Sequence, residues 1–226
     1  MTTLRPLPEI PAHIHTILQR LHSASLVQEA SITRDDYDSH SRDDLMRDKF
    51  IALDEDKSQY IYQLCRAINA TQVIEAGTSF GVSTIYWALA VTANIKAGGG
   101  NGKGRVIATE NEPTKAEKAR QHWQECGEEV SGVIELREGD LLETLKEDVR
   151  DVDLLVLDIW TPMALPTLKL VQPHLRHGAI ILADNTVKAA ENYKEYLEYV
   201  WGPESGFITT TLPFNGGLEM SVYLPK

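Results

Sequence analysis

Two periods of apolar residues alternate along most of this chain, and each change from one to the other marks an element. Short β-rich runs at residues 72–75, 105–109, 131–138, 153–158 and 179–183 are each followed by apolar residues at helical spacing, at 83–95, 113–125, 141–148, 164–172 and 189–200. Strands alternating with helices predict a parallel sheet wound on both faces. The C-terminal end departs from this rule. Runs at 207–212 and 218–223 flank Pro213-Phe214-Asn215-Gly216-Gly217. Two β-rich runs around an Asn-Gly-Gly turn make a hairpin, so the last strand should run antiparallel in a sheet of seven. Upstream, Ile14, Ile17, Leu18, Leu21 and Leu26 predict a helix over 12–30. Tyr60, Ile61, Leu64, Cys65 and Ile68 form the expected inward stripe of another over 53–70. Between them lies the polar run 33–48, with Asp35, Asp36, Asp38, Asp43 and Asp44, which reads as a solvated face or loop. The expected division is a helical extension or lid over 1–50 and an α/β domain over 51–226.

The stretch from Val73 to Thr84 is where chemistry is expected. A short apolar strand ends in Glu75, Gly77 and Gly81 open a turn, and Ser83-Thr84 leads into a helix. Such a turn aims free backbone N–H groups at one spot, and its glycines let a ligand approach where a Cβ would block it. In open α/β sheets that spot lies at the carboxyl ends of the strands. The pattern is E-x-G-x-x-x-G. Ser79 stands where the dinucleotide fingerprint has its second glycine, so a smaller or less anionic ligand than a pyrophosphate is favoured. The glycine-rich segment 97–104 lacks a G-K-[ST] ending and precedes a strand, so it reads as a flexible surface loop.

Composition narrows the partners. The 226 residues suit one large α/β domain with a helical extension, and 42% hydrophobic with 24% charged residues is ordinary for a soluble globular protein. A net charge of −11 argues against nucleic acid and against an anionic membrane surface. Cys65 and Cys126 both fall inside predicted helices, so no structural disulfide is expected and a reducing compartment fits. The start of the chain lacks an apolar leader core and no run reaches transmembrane length, so the expected location is cytoplasmic.

Acids collect at the strand ends: Glu75, Glu110, Asp158 and the pair Asp184-Asn185, with Gly139-Asp140 after the third strand. In a parallel sheet all of them share one edge, around Gly77 to Gly81. Any one could simply cap the following helix. Together they suit a ligand carrying a ribose, an amine and an adenine, with Glu110 accepting from both ribose hydroxyls. An acidic rim tolerates a cationic sulfonium and repels a diphosphate. S-adenosylmethionine is therefore expected in preference to NAD.

Glu75-Ala76-Gly77-Thr78-Ser79-Phe80-Gly81-Val82-Ser83-Thr84 resembles the first motif of class I S-adenosylmethionine-dependent methyltransferases. More narrowly it resembles the small O-methyltransferases that include catechol and caffeoyl-coenzyme A O-methyltransferases. Val106-Ile107-Ala108-Thr109-Glu110, Glu138-Gly139-Asp140, Leu157-Asp158-Ile159-Trp160, Leu182-Ala183-Asp184-Asn185 and Gly217-Leu218-Glu219 follow in family order. The resemblance implies a Rossmann-like fold and a methyltransferase domain over 51–226. It implies transfer of a methyl group to a hydroxyl of a small, catechol-like acceptor. It puts Glu75, Gly77, Thr78, Ser79, Gly81 and Ser83 around the methionine part of the cofactor, Glu110 on the ribose and Gly139-Asp140 beside the adenine. By the same resemblance Asp158, Asp184 and Asn185 are ligands for a divalent cation, usually magnesium; oxygen ligands of this kind suit such a hard ion. Trp160 would wall the acceptor pocket, Glu219 would bind the second hydroxyl of a catechol, and a homodimer is implied. One departure stands out: Thr161 occupies the position of the family's lysine base, and a threonine takes no proton near neutral pH. Either a metal acidifies the substrate unaided, or Lys188 or a histidine replaces that lysine, or the chemistry differs.

The remaining candidates read as structural. His13, His15, His22 and His40 are expected at the surface, and His174 and His177 at a helix end. Tyr193, Tyr196, Tyr199 and Trp201 are expected as packing or dimer contacts, and Trp87 and Trp123 as core or helix surface. Two other functions stay open on these residues: a protein that binds the cofactor without catalysis, motivated by Thr161, and an NAD-dependent oxidoreductase on a similar fold.

Overall fold

A computed structural model of the chain describes residues 4–31 and 49–226, so the polar run 33–48 with its acids and His40 lies outside the described residues. In chain order the elements are α1 (Ala12–Ala30), α2 (Glu55–Ala67), β1 (Gln72–Ala76), α3 (Val82–Lys96), β2 (Arg105–Glu110), α4 (Pro113–Cys126), β3 (Ile134–Glu138), β4 (Val152–Leu157), α5 (Ala164–Val171), β5 (Leu175–Asp184), α6 (Lys194–Val200), β6 (Phe207–Leu212) and β7 (Leu218–Tyr223). The seven strands lie in the order β3-β2-β1-β4-β5-β7-β6. The first five are parallel, while β7 runs antiparallel to both β5 and β6. This is the expected doubly wound sheet with an antiparallel hairpin at its end.

The strand period of two sorts side chains onto two cores. Val73, Leu154, Ile180 and Leu182 face a cluster that includes α2, α3 and α1. Ile74, Leu155, Ile181 and Ala183 face the other cluster, with α5 and α6. Ile14, Ile17, Leu18 and Leu21 of α1 belong to the same cluster as Ile85 and Trp87, so the N-terminal helix shares the core of the sheet. Helix α3 is buried on almost every side, the pattern of a helix roofed by others.

Several boundaries and faces differ from the sequence reading. Leu26 is exposed, whereas His22 is buried with its Nε2 3.2 Å from the Tyr86 hydroxyl. Helix α2 buries Ile61 and Cys65 as expected, with Tyr60, Leu64 and Ile68 partly buried against the same core, and its buried face also takes in Lys57, Ser58 and Tyr62. Strand β3 begins later than expected because Glu128–Ser131 forms a helical turn after Gly127. The helix expected over 189–200 begins only at Lys194. The backbone N–H groups of Val187 and Lys188 both donate to Gly216 O at 2.9 Å, so the hairpin turn holds the segment after β5 out of helical register.

Candidate active site at the carboxyl edge of the sheet

The order β2-β1-β4-β5 sets four strand ends side by side, and with them Glu110, the glycine turn, Asp158 and Asp184. The chain folds back sharply after β1. Gly77 has φ +90° and Gly81, the residue before α3, has φ +75°. Neither position has room for a side chain. A Cβ on Gly77 would lie 2.1 Å from the Asp158 carbonyl oxygen, and one on Gly81 would lie 2.5 Å from Trp123 Nε1. Thr78 N–H donates to Thr109 O at 2.9 Å and Asp158 N–H to Ala76 O at 3.0 Å, which ties the turn to both neighbouring strands.

Glu75 shares the sheet face of Val73 and points beneath this turn. It is buried, and four side chains donate to its carboxylate: Ser83 (2.5 Å) and Trp87 Nε1 (2.7 Å) to one oxygen, Thr78 (3.0 Å) and Thr84 (2.5 Å) to the other. Burial pushes its pKa up, and the four donors oppose that shift. Both oxygens are thus occupied within the protein. The resemblance put Glu75 beside the cofactor; in the structure its carboxylate lies under the turn, bonded to Thr78 and to three side chains of α3.

Glu110, partly buried, accepts from Ser79 N–H at 2.7 Å and from Glu112 N–H at 2.8 Å. Burial raises its pKa, against the pull of those N–H groups and of Lys115. Gly139 donates its N–H to Glu110 O at 3.0 Å, while Asp140 is exposed and one of its oxygens accepts from Leu142 N–H at 2.9 Å as a helix cap. Above the turn, Phe50 meets Phe80 edge-on with ring centroids 4.6 Å apart, and Ile51, Ala52 and Leu53 close a space of about 10 Å³ against Gly77, Ser79 and Asp158. That volume is on the order of one water. The covering segment hangs from α1 through Phe50 N–H to Gln28 (3.0 Å) and Ala52 N–H to Ser25 (2.8 Å). The sequence suggested a lid over 1–50 but not that residues 50–53 would form the cover, because the contacts join residues far apart in the chain.

Asp158, just past β4, and Asp184, closing β5, sit at the ends of neighbouring parallel strands, and a third residue joins Asp184. Lys57, 1% exposed on α2, places Nζ 2.7 Å from Asp184 Oδ1 and 3.0 Å from Asp54 Oδ2. The contact with Asp184 is coulombic more than directional, since Oδ1 receives no well-aligned hydrogen bond. Asn185 Nδ2 donates to Asp184 Oδ2 at 2.6 Å. Burial and mutual repulsion raise the proton affinity of Asp158, and burial raises that of Asp184, with Lys57 opposing both shifts. Burial alone would discharge Lys57, but its contacts with Asp184 and Asp54 outweigh that and raise its pKa. Lys57 carried one legible signal: with Ile61 and Cys65 it marks a buried stripe at i, i+4 spacing.

The structure does not bring Glu219 to this group. In the β5–β7 ladder Leu218 lies opposite Asp184 and Glu219 opposite Ala183, so Glu219 points to the α5–α6 face. There, buried, it accepts from Trp201 Nε1 (2.7 Å), Thr211 (2.8 Å) and Thr186 (3.4 Å). Trp160 stands 56% exposed after β4. Thr161 lines a cleft of about 380 Å³ with Pro162, Leu165, Glu191 and Tyr196, and Lys188 is exposed.

A family model described as a methyltransferase domain matches residues 74–186. The chain belongs to the methyltransferase-domain family. The match takes in the turn, Glu110, Asp140, Asp158 and Asp184-Asn185, and stops before Glu219. A catechol O-methyltransferase from Mycobacterium tuberculosis is 30% identical over 139 residues, 61% of this chain and 58% of that protein. One from Niastella koreensis is 28% identical over 134 residues, 58% of this chain and 54% of that protein. The chain thus aligns with little more than half the length of these curated relatives. The structure of cofactor-bound Rv0187 from MTB superimposes with a TM-score of 0.70 at 24% identity, covering 93% of this chain and 91% of that one. An O-methyltransferase from Bacillus cereus in complex with SAH gives 0.69 at 18% identity, with 98% and 93% covered. At these identities the structures establish a shared methyltransferase fold.

Proposed function

We propose that this methyltransferase domain moves the methyl group of S-adenosylmethionine to a hydroxyl of a small aromatic acceptor. The observation that carries the reading is the turn itself. Two glycines that admit no Cβ hold the turn tightly between Glu110 and Asp158, at the carboxyl edge of a doubly wound sheet, with Ser79 N–H resting on Glu110. The names of the catechol O-methyltransferases and of the SAH complex support the choice of cofactor and acceptor class.

When bound, S-adenosylmethionine supplies an electrophilic methyl group on a sulfonium. The residues of this chain bind and orient. Glu110 accepts hydrogen bonds from the ribose hydroxyls, giving up its present bond to Ser79 N–H. Asp158 lies beside the turn with its proton affinity raised by burial and by Asp184, and a cationic ligand there would draw that proton off. The segment 50–53 yields to admit the cofactor and excludes water once back in place. Glu75 keeps the turn in shape throughout. Trp160 offers an exposed aromatic face to an acceptor ring.

Asp158, Asp184 and Asn185 have the oxygen donors a magnesium ion prefers, but their arrangement does not fit one. Asp184 Oδ1 faces an ammonium and Oδ2 is bonded to the Asn185 amide. The proposed reaction therefore contains no step through a metal.

Calorimetric titration with S-adenosylhomocysteine and with NAD, followed by transfer of a labelled methyl group to catechol, tests the proposal. Binding of the first alone, with label in the phenol, is expected. NAD binding alone would end the methyltransferase reading, and tight cofactor binding without transfer to any phenol would favour a non-catalytic binding protein.

A further inference from the structure

We propose that Lys57 is the resident cation of the Asp158–Asp184 carboxylate pair and that any divalent ion must compete with it. Lysine is almost never fully buried unless paired. Here a side chain from the first turn of α2 reaches the end of β5 and bridges Asp54 Oδ2 and Asp184 Oδ1 at 3.0 and 2.7 Å. A surface ion pair could sit anywhere on α2; this one is at the point where β4 and β5 deliver their acids, and its charge is also felt at Asp158. A hard divalent ion needs carboxylate oxygens at about 2.0–2.6 Å with their charge uncompensated. On Asp184 Oδ1 such an ion would lie against the ammonium, cation against cation in a site screened from water. Oδ2 gives no easier approach, because Asn185 Nδ2 already donates to it. Lys57 therefore neutralises one of the two carboxylates and stands where the ion would enter.

The inference concerns cation binding and does not rest on methyl transfer. The test is Mn²⁺ titration followed by electron paramagnetic resonance on wild type, Lys57→Met and Lys57→Arg, with S-adenosylhomocysteine binding measured on the same samples. Lys57→Met is expected to bind Mn²⁺ at least about tenfold more tightly than wild type, since an opposing charge is removed. Lys57→Arg, which keeps the charge, is expected to stay as weak as wild type. Equal Mn²⁺ affinity in wild type and Lys57→Met would overturn the inference. Should Lys57→Met not fold, wild type still decides: a low-micromolar Mn²⁺ site there overturns the proposal, and its absence, with Lys57→Arg behaving alike, supports it. Loss of S-adenosylhomocysteine binding in wild type would instead sink the methyl-transfer reading and leave this one standing.

Discussion

Replacing Glu75 isolates the network that shapes the glycine turn. In Glu75→Ala the four donors on Ser83, Thr84, Thr78 and Trp87 lose their acceptor, and all four residues are buried. An orphaned buried donor costs about 1–3 kcal/mol. Hydroxyls on the first turn of α3 can rotate toward other acceptors, whereas the indole N–H of Trp87 cannot, so two donors count in full. The expected loss is roughly 2–6 kcal/mol, against a total stability of about 5–15 kcal/mol for a domain. For a chain of this size that lowers Tm by roughly 4–24 °C. Glu75→Gln should behave differently. Its amide nitrogen can face Thr78 and Thr84, whose hydroxyls can turn to accept, while its oxygen keeps Ser83 and Trp87. Loss of charge is offset by easier desolvation, for a net cost of about 1–2 kcal/mol. Urea unfolding followed by tryptophan fluorescence reads both variants. A Glu75→Ala protein within about 1 kcal/mol of wild type, or a glutamine variant as damaged as the alanine, refutes the network as the scaffold of the turn.

Other positions give sharp expectations. Gly77→Ala should cost about 3 kcal/mol or more and abolish S-adenosylhomocysteine binding by calorimetry, because its Cβ would fall 2.1 Å from Asp158 O at a φ of +90°. Glu110→Gln should weaken S-adenosylhomocysteine about ten- to a hundredfold, the worth of a hydrogen bond to a charged group, with stability by urea unfolding little changed. Burial lowers the pKa of His22 below 6.5, with Glu55 and Asp54 opposing, so the unfolded chain binds the proton more tightly. Its contribution to stability is full above pH 6.5 and is lost as pH falls through the lower folded value. Urea midpoints between pH 7 and 5 should fall less steeply in His22→Leu than in wild type.

The order of elements was legible in the sequence because it depends on local chemistry. Apolar spacing, the Asn-Gly-Gly turn and acids at strand ends declare themselves within a few residues, and β6 and β7 fall where the pattern put them. The meeting of Glu110, Gly77 and Asp158 was also foreseeable, since strand ends share an edge once the sheet is parallel. What each side chain does there was decided by contacts between distant residues. The acid of the first motif is consumed by four donors, which no spacing rule specifies. The Leu218–Asp184 register turns Glu219 to the opposite face, because one residue's shift in a strand reverses the side. Lys57 enters the carboxylate pair because the buried face of α2 extends beyond its apolar stripe to take in Lys57, and a buried charge must find a partner. Sequence thus determined which groups were available and at which edge; the tertiary packing determined which of them remained free for a ligand.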